Sequence, residues 1–346
     1  MRKKLVAAIL LVVCLTAGCG REHADLEKAC VGIIETNGYK KKSSLLIYDD
    51  NLTRLTDVPV KYASVGSIFY NPFVDQQELY VIPQGSADKK DEKKVLQINL
   101  TDFKKKTYDI DQPAMNDICS DEAYIYTCNT LNGDSYINKC RKEDQSVKMQ
   151  SVAQMYISKI VCADGKIYAF GTKKVEHAFR SYLLIFDEEL QLTDQIDISE
   201  CGSSHYKAIV RDGNLFFSNN IDSNEESGNT VSIFSMKDKT IDTITLNQNS
   251  PWDLALFQDY LVVSHYTPGS QGNGCISLYN LNTHEVSGYP LDHAAEQMAI
   301  KENNIYILAE KCLYQYKITK TGIELTKEIQ IDLLRDGDYC SGIFAY

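Results

Sequence analysis

The residues best suited to handle a ligand cluster late in the chain. His205-Tyr206 and Trp252-Asp253 stand 46 to 48 positions apart in matching contexts, and His265, Tyr266 and Glu296 follow. Aromatic faces flanked by imidazole and carboxylate suit stacking on a sugar ring or a peptide side chain, with hydrogen bonds fixing the orientation. Trp252 is the only tryptophan in 346 residues. A ligand-facing Trp252 would be partly exposed; one that only plugs a channel would be buried.

Other chemistries leave no trace. Cys-x-x-Cys, Cys-x-x-Cys-His, His-Glu-x-x-His, Gly-x-Ser-x-Gly, P-loop and EF-hand patterns are absent, so neither a metal nor a cofactor is expected. Asp222-Ser223-Asn224-Glu225-Glu226 and Asp336-Gly337-Asp338 offer oxygen atoms but lack the alternating spacing of a calcium loop, and read as turns. A formal charge of −11 and a pI of 5.1 argue against nucleic acid as a partner, because phosphate contacts need clustered cations.

The elements that must position the candidate residues form a repeat. Leu79-Tyr80-Val81-Ile82, Tyr124-Ile125-Tyr126, Ile167-Tyr168-Ala169-Phe170, Leu215-Phe216-Phe217, Leu261-Val262-Val263 and Ile305-Tyr306-Ile307-Leu308 recur 43 to 48 residues apart, after a weaker copy at Val31-Gly32-Ile33-Ile34. These β-branched and aromatic runs are strand-like. Asp164-Gly165 and Asp212-Gly213 precede two of them and supply the positive φ of a tight hairpin. A second and a third strand follow each copy, and an inner strand precedes it. Four antiparallel strands per roughly 45 residues mark a propeller blade. Seven such units predict an all-β, seven-bladed propeller over 30–346. The N-terminal copy lacks an inner strand and 341–346 is a surplus one, so the ring should close by pairing the last strand with the first blade.

Aligning the blades through their turns places Gly66, Met115, Ser158, Tyr206, Trp252, Glu296 and Ser341 around the channel mouth. A position governed only by blade packing should repeat in kind, and this one does not. The long polar loops 218–230 and 264–274 should rise over the same sector, across blades five and six.

Leu278-Tyr279-Asn280-Leu281-Asn282-Thr283-His284-Glu285-Val286 is similar to the strand–turn–strand unit of the seven-bladed bacterial propellers of the YVTN type, and Tyr80-Val81-Ile82-Pro83 echoes the namesake tetrad. That resemblance implies the fold and no particular chemistry.

At the N-terminus Arg2, Lys3 and Lys4 precede an apolar stretch from Leu5 to Leu15, too short to span a bilayer and suited to a signal peptide. It runs into Leu15-Thr16-Ala17-Gly18-Cys19, which resembles a bacterial lipobox. The resemblance implies cleavage after residue 18, a diacylglycerol on Cys19, a tether over 19–29 and an extracytoplasmic body held on the cell membrane by its lipid.

Nine cysteines remain beyond Cys19, an odd number. Hairpin alignment puts Cys119 and Cys162 at equivalent positions of neighbouring blades, and a turn at Asn132-Gly133 sets Cys128 opposite Ile137 rather than Cys140. No pair falls within the roughly 7 Å that a disulfide allows, so most of the thiols should be free. The favoured function is a lipid-anchored propeller that binds or scaffolds a protein, peptide or glycan. The alternative is an extracytoplasmic hydrolase or lyase, lactonase-like or polysaccharide-acting, with its site at the channel mouth.

Overall fold

The tight turns adopt the backbone that their residues allow. Asn132-Gly133, Asp164-Gly165 and Asp212-Gly213 all have positive φ, as two-residue hairpins require. Gln76, Gln258 and Glu302 hold the same conformation at corresponding turns without a glycine-rich sequence. The computed structural model describes residues 26–67, 69, 72–269, 272–320 and 322–345. The signal, lipobox and Cys19 readings lie outside the described residues.

Seven four-stranded antiparallel sheets form the ring. Blade 1 joins Ala29–Thr36, Ser43–Asp49 and Arg54–Val60 to the last strand, Tyr339–Ala345. The inner strands of blades 2 to 7 are Phe73–Asp75, Met115–Ser120, Tyr156–Ala163, Ala208–Arg211, Pro251–Phe257 and Gln297–Lys301. The chain is thus a seven-bladed β-propeller closed by its C-terminal strand.

Seven hydrophobic clusters hold it together, each shared by two neighbouring blades. Successive strand residues point to opposite faces, so Phe216 packs toward blade 6 while Phe217 packs toward blade 4. Both faces are buried, which explains why the repeat reads as unbroken apolar runs. Small hydroxyls link blades near their mouth-side hairpins. Ser135 Oγ donates to Met155 O at 2.7 Å and accepts from Ile157 N at 2.9 Å. In blade 1, Ser43 Oγ donates to Tyr62 O at 2.7 Å, and Val65 N donates to Thr36 Oγ1 at 3.0 Å.

The closing seam carries a buried carboxyl pair. Leu334 N donates to Glu35 Oε1 at 2.8 Å; Arg335 Nε donates to Asp338 Oδ2 at 2.7 Å, and Asn37 Nδ2 to Asp338 Oδ1 at 2.9 Å. Burial first, and then the adjoining Asp338 carboxyl, push Glu35 up to about 7. Hydrogen bonds from Asn37, Glu35 and Arg335 outweigh desolvation and hold Asp338 low. The folded chain binds the Glu35 proton more tightly than the unfolded chain does. Its contribution is therefore complete below about 4.5 and is lost as pH rises through about 7. Wild type should lose on the order of 2 kcal/mol relative to Glu35→Gln between pH 5 and 8, read by urea denaturation. Parallel stability profiles for the two proteins would refute this assignment.

Candidate functional site

The mouth ring assembles as the alignment anticipated. Met115, Ser158, Tyr206 and Trp252 line one cavity of about 830 Å³, together with Ser67, the neighbour of Gly66. The rest of the ring is continuous: Trp252 Nε1 donates to Glu296 O at 2.9 Å, and Gln297 Nε2 donates to Ser341 O at 3.3 Å. A Cβ on Gly66 would come within 3.1 Å of Ser341 O, and the residue's φ of +80° is one that glycine holds without strain.

Trp252 and Tyr206 are the floor of this cavity. Their rings stack 3.6 Å apart at 15°, with Tyr266 edge-on to the indole at 5.6 Å and Lys159 Nζ 5.7 Å from the Tyr206 centroid. Trp252 is only 4% exposed and Tyr206 7%. This corrects the expectation of a partly exposed tryptophan. Two aromatic rings stacked face to face cover each other's faces, which leaves little surface for a ligand.

The polar residues expected to flank the platform are also taken up by packing. His205 is buried between Phe170 and Phe217, with Nδ1 3.1 Å from Ser218 O. His265 has both ring nitrogens engaged, by Asn249 O and Ser277 Oγ at 2.8 Å each. Burial pushes both imidazoles down to about 4, so they are neutral at physiological pH. Asp253 faces the channel wall, where it accepts from Leu254 N at 2.9 Å and from Met298 N at 3.1 Å. Glu296 accepts from Glu310 N at 3.1 Å.

Asp253 has a counterpart. Asp117 accepts from Ile160 N at 2.9 Å and from Lys159 Nζ at 3.0 Å, while Lys207 Nζ stands 3.7 Å from Asp253. Both aspartates thereby bind a backbone amide of the next blade, joining blades 3 to 4 and 6 to 7. They line or adjoin a second cavity of about 470 Å³, the channel below the floor.

Exposed aromatic surface stands instead on the cavity rim. Phe179 is 65% exposed, Phe69 61% and Tyr156 51%, and all three line the mouth cavity. The loops at 218–230 and 264–274 do reach this face, contributing Asn220, Glu225 and Pro268. The accessible aromatics therefore lie toward blades 2 to 4, beside the sector of blades 5 and 6 expected from sequence. One signal was available: Lys173–Arg180 is a polar hairpin tip with a lone Phe179, on the long pair Lys166–Val175 and Ala178–Phe186. The acidic loop at Asp222 is a turn, its carboxylate accepting from Asn224 N and Glu226 N. Among the described residues, no three His, Cys, Asp or Glu side chains are placed to hold a metal ion.

No protein-family model matches the sequence, and neither does any curated protein. Solved structures do share the fold. A candidate 6-phosphogluconolactonase of Bacteroides uniformis is similar with a TM-score of 0.62 and 15% identity, over 92% of this chain and all of that one. A functionally unknown protein of Desulfotomaculum acetoxidans gives 0.58 and 14%, over 90% and 99% of the two chains. AztD of Citrobacter koseri gives 0.54 and 10%, over 92% and 98%. At these identities the likeness is one of architecture, and it leaves the chemistry to the cavity itself.

Proposed function

We propose that this chain is a binding propeller, held on the outer face of the cell membrane by a lipid on Cys19, that captures a peptide or glycan in its mouth cavity. The observation that carries this reading is the rim: three large, exposed aromatic side chains around one concavity with a polar wall. Exposed rings are normally scattered, and their convergence on a cavity marks a contact surface. Stacking on Tyr156 and Phe179 would supply affinity, and Asn116, Ser158, Ser203 and Asn220 would orient hydroxyl or amide groups.

Trp252 makes the test direct, since it is the single tryptophan and forms the cavity floor. Its fluorescence should respond to one member of a panel of cell-wall oligosaccharides and short peptides. A Tyr156→Ala, Phe179→Ala double variant should weaken that response about tenfold, at roughly 0.5–1.5 kcal/mol per ring. A bound ligand with equal affinity for wild type and variant would place the site elsewhere. For the anchor, Cys19→Ser should move the protein from membrane to soluble fractions or leave an uncleaved precursor. Membrane-bound, cleaved Cys19→Ser protein would refute the lipid.

A further inference from the structure

All nine cysteines among the described residues are free thiols, and Cys128 pairs across its hairpin with Ile137 as anticipated. Cys119 and Cys162 depart from the sequence-based alignment. Cys119 lies opposite Tyr126 with Ser120, Asp121 and the turn beyond it, whereas Cys162 lies opposite Ile167 with only Ala163 before its turn. The two cysteines are therefore one residue out of equivalence. Because alternate strand residues face opposite neighbours, that single step turns Cys119 toward blade 4 and Cys162 toward blade 3.

They meet at the seam. Both belong to the cluster shared by blades 3 and 4, and Cys162 Sγ donates at 3.1 Å to Ser120 O, the carbonyl of the residue next to Cys119. Corresponding positions at other seams carry aliphatic pairs: Val161 with Val210, Ile209 with Leu256, and Ala255 with Ile300. Two thiols occupy a place that hydrocarbon fills at those three seams. Both also line the 470 Å³ channel cavity, so a small solute has a route to them.

We propose that Cys119 and Cys162 form a thiol–disulfide exchange site at the end of the channel away from the mouth, which takes a low-molecular-weight disulfide. Cys162 is half-buried and Cys119 buried, so Cys162 meets the solute first. Its sulfur attacks one sulfur of the small disulfide, forming a mixed disulfide and releasing one thiol that carries away the proton. Cys119 then attacks the Cys162 sulfur, the inter-blade disulfide forms, and the second small thiol leaves with the Cys119 proton. The protein dithiol is oxidised by two electrons and the small disulfide is reduced to two thiols. Burial pushes the Cys119 thiol well above its ordinary range, so it stays protonated and does not compete with Cys162 for the first attack.

The test uses the folded full chain and 2-hydroxyethyl disulfide, followed by acid quench, denaturation, alkylation and peptide mapping. The first product should be a Cys119–Cys162 cross-link, with the remaining cysteines alkylated. Cys119→Ala should leave Cys162 carrying the mercaptoethanol adduct, and Cys162→Ala should leave Cys119 unmodified over the same period. If Cys119→Ala does not fold, the wild-type map decides alone. Cross-links among other cysteines, no reaction at Cys162 in folded protein, or undiminished reaction of Cys119 in Cys162→Ala would each overturn the site. The peptide or glycan reading of the mouth stands or falls separately, because it is measured at the opposite end of the channel.

Discussion

A chain ending at residue 341 should fail to form a stable closed ring. The last strand pairs with Ala29–Thr36 through Val31↔Ala345, Gly32↔Phe344, Ile33↔Ile343 and Ile34↔Gly342. Ile343 and Phe344 are buried, in two different inter-blade clusters. Losing an isoleucine and a phenylalanine from cores costs about 2–5 and 3–5 kcal/mol. Their sum is comparable with the whole stability of a typical domain, about 5–15 kcal/mol. The exposed edge of blade 1 would also invite aggregation. Size-exclusion chromatography and a thermal melt decide it: an unchanged midpoint in a monomeric truncated chain would refute closure by this strand. Gly32→Ala is the finer probe. The Phe344 ring lies flat on Gly32, where a Cβ would come within 2.1 to 2.7 Å of three ring carbons. That variant should be destabilised by typically 1–3 kcal/mol through overpacking.

Trp252→Ala should lose about 3–5 kcal/mol in urea denaturation followed by circular dichroism. The indole is buried, stacked on Tyr206 and hydrogen-bonded to the blade 7 carbonyl of Glu296, so its removal opens a void between blades 5, 6 and 7. Trp252→Phe keeps a ring on Tyr206 but strands the Glu296 carbonyl, and should lose less, about 1–3 kcal/mol. Phe179→Ala separates the two roles. Being mostly exposed, it should change stability by no more than about 0.5 kcal/mol while weakening ligand binding. A well-tolerated Trp252→Ala would mean that the floor bears no packing load.

The repeat, the blade number, the closing strand and the identity of the mouth ring were legible in the sequence, because each follows from local rules. β-branched and aromatic runs, positive-φ turns and a spacing near 45 residues are written in contiguous residues, and a ring of equivalent positions needs only that they be aligned. What Trp252 and Asp253 do was not legible. A tryptophan beside a channel can face solvent or a neighbouring ring, and only the approach of blades 5 and 6 to 3.6 Å between aromatic centroids decided it. Asp253 read as a ligand-facing carboxylate and Asp117 carried no signal at all, yet each accepts from an amide of the next blade. Phe69, Tyr156 and Phe179 are far apart in sequence and unremarkable singly; closure of the ring brings them around one cavity. Gly32 looked like a weak copy of the repeat and is the seat of Phe344, more than 300 residues away. The facing of Cys119 and Cys162 turned on a single residue of hairpin register. Sequence determines local conformation and which faces are apolar, because those depend on neighbours along the chain. Contact across a seam depends on side chains that two blades contribute independently, and that only the tertiary structure decided.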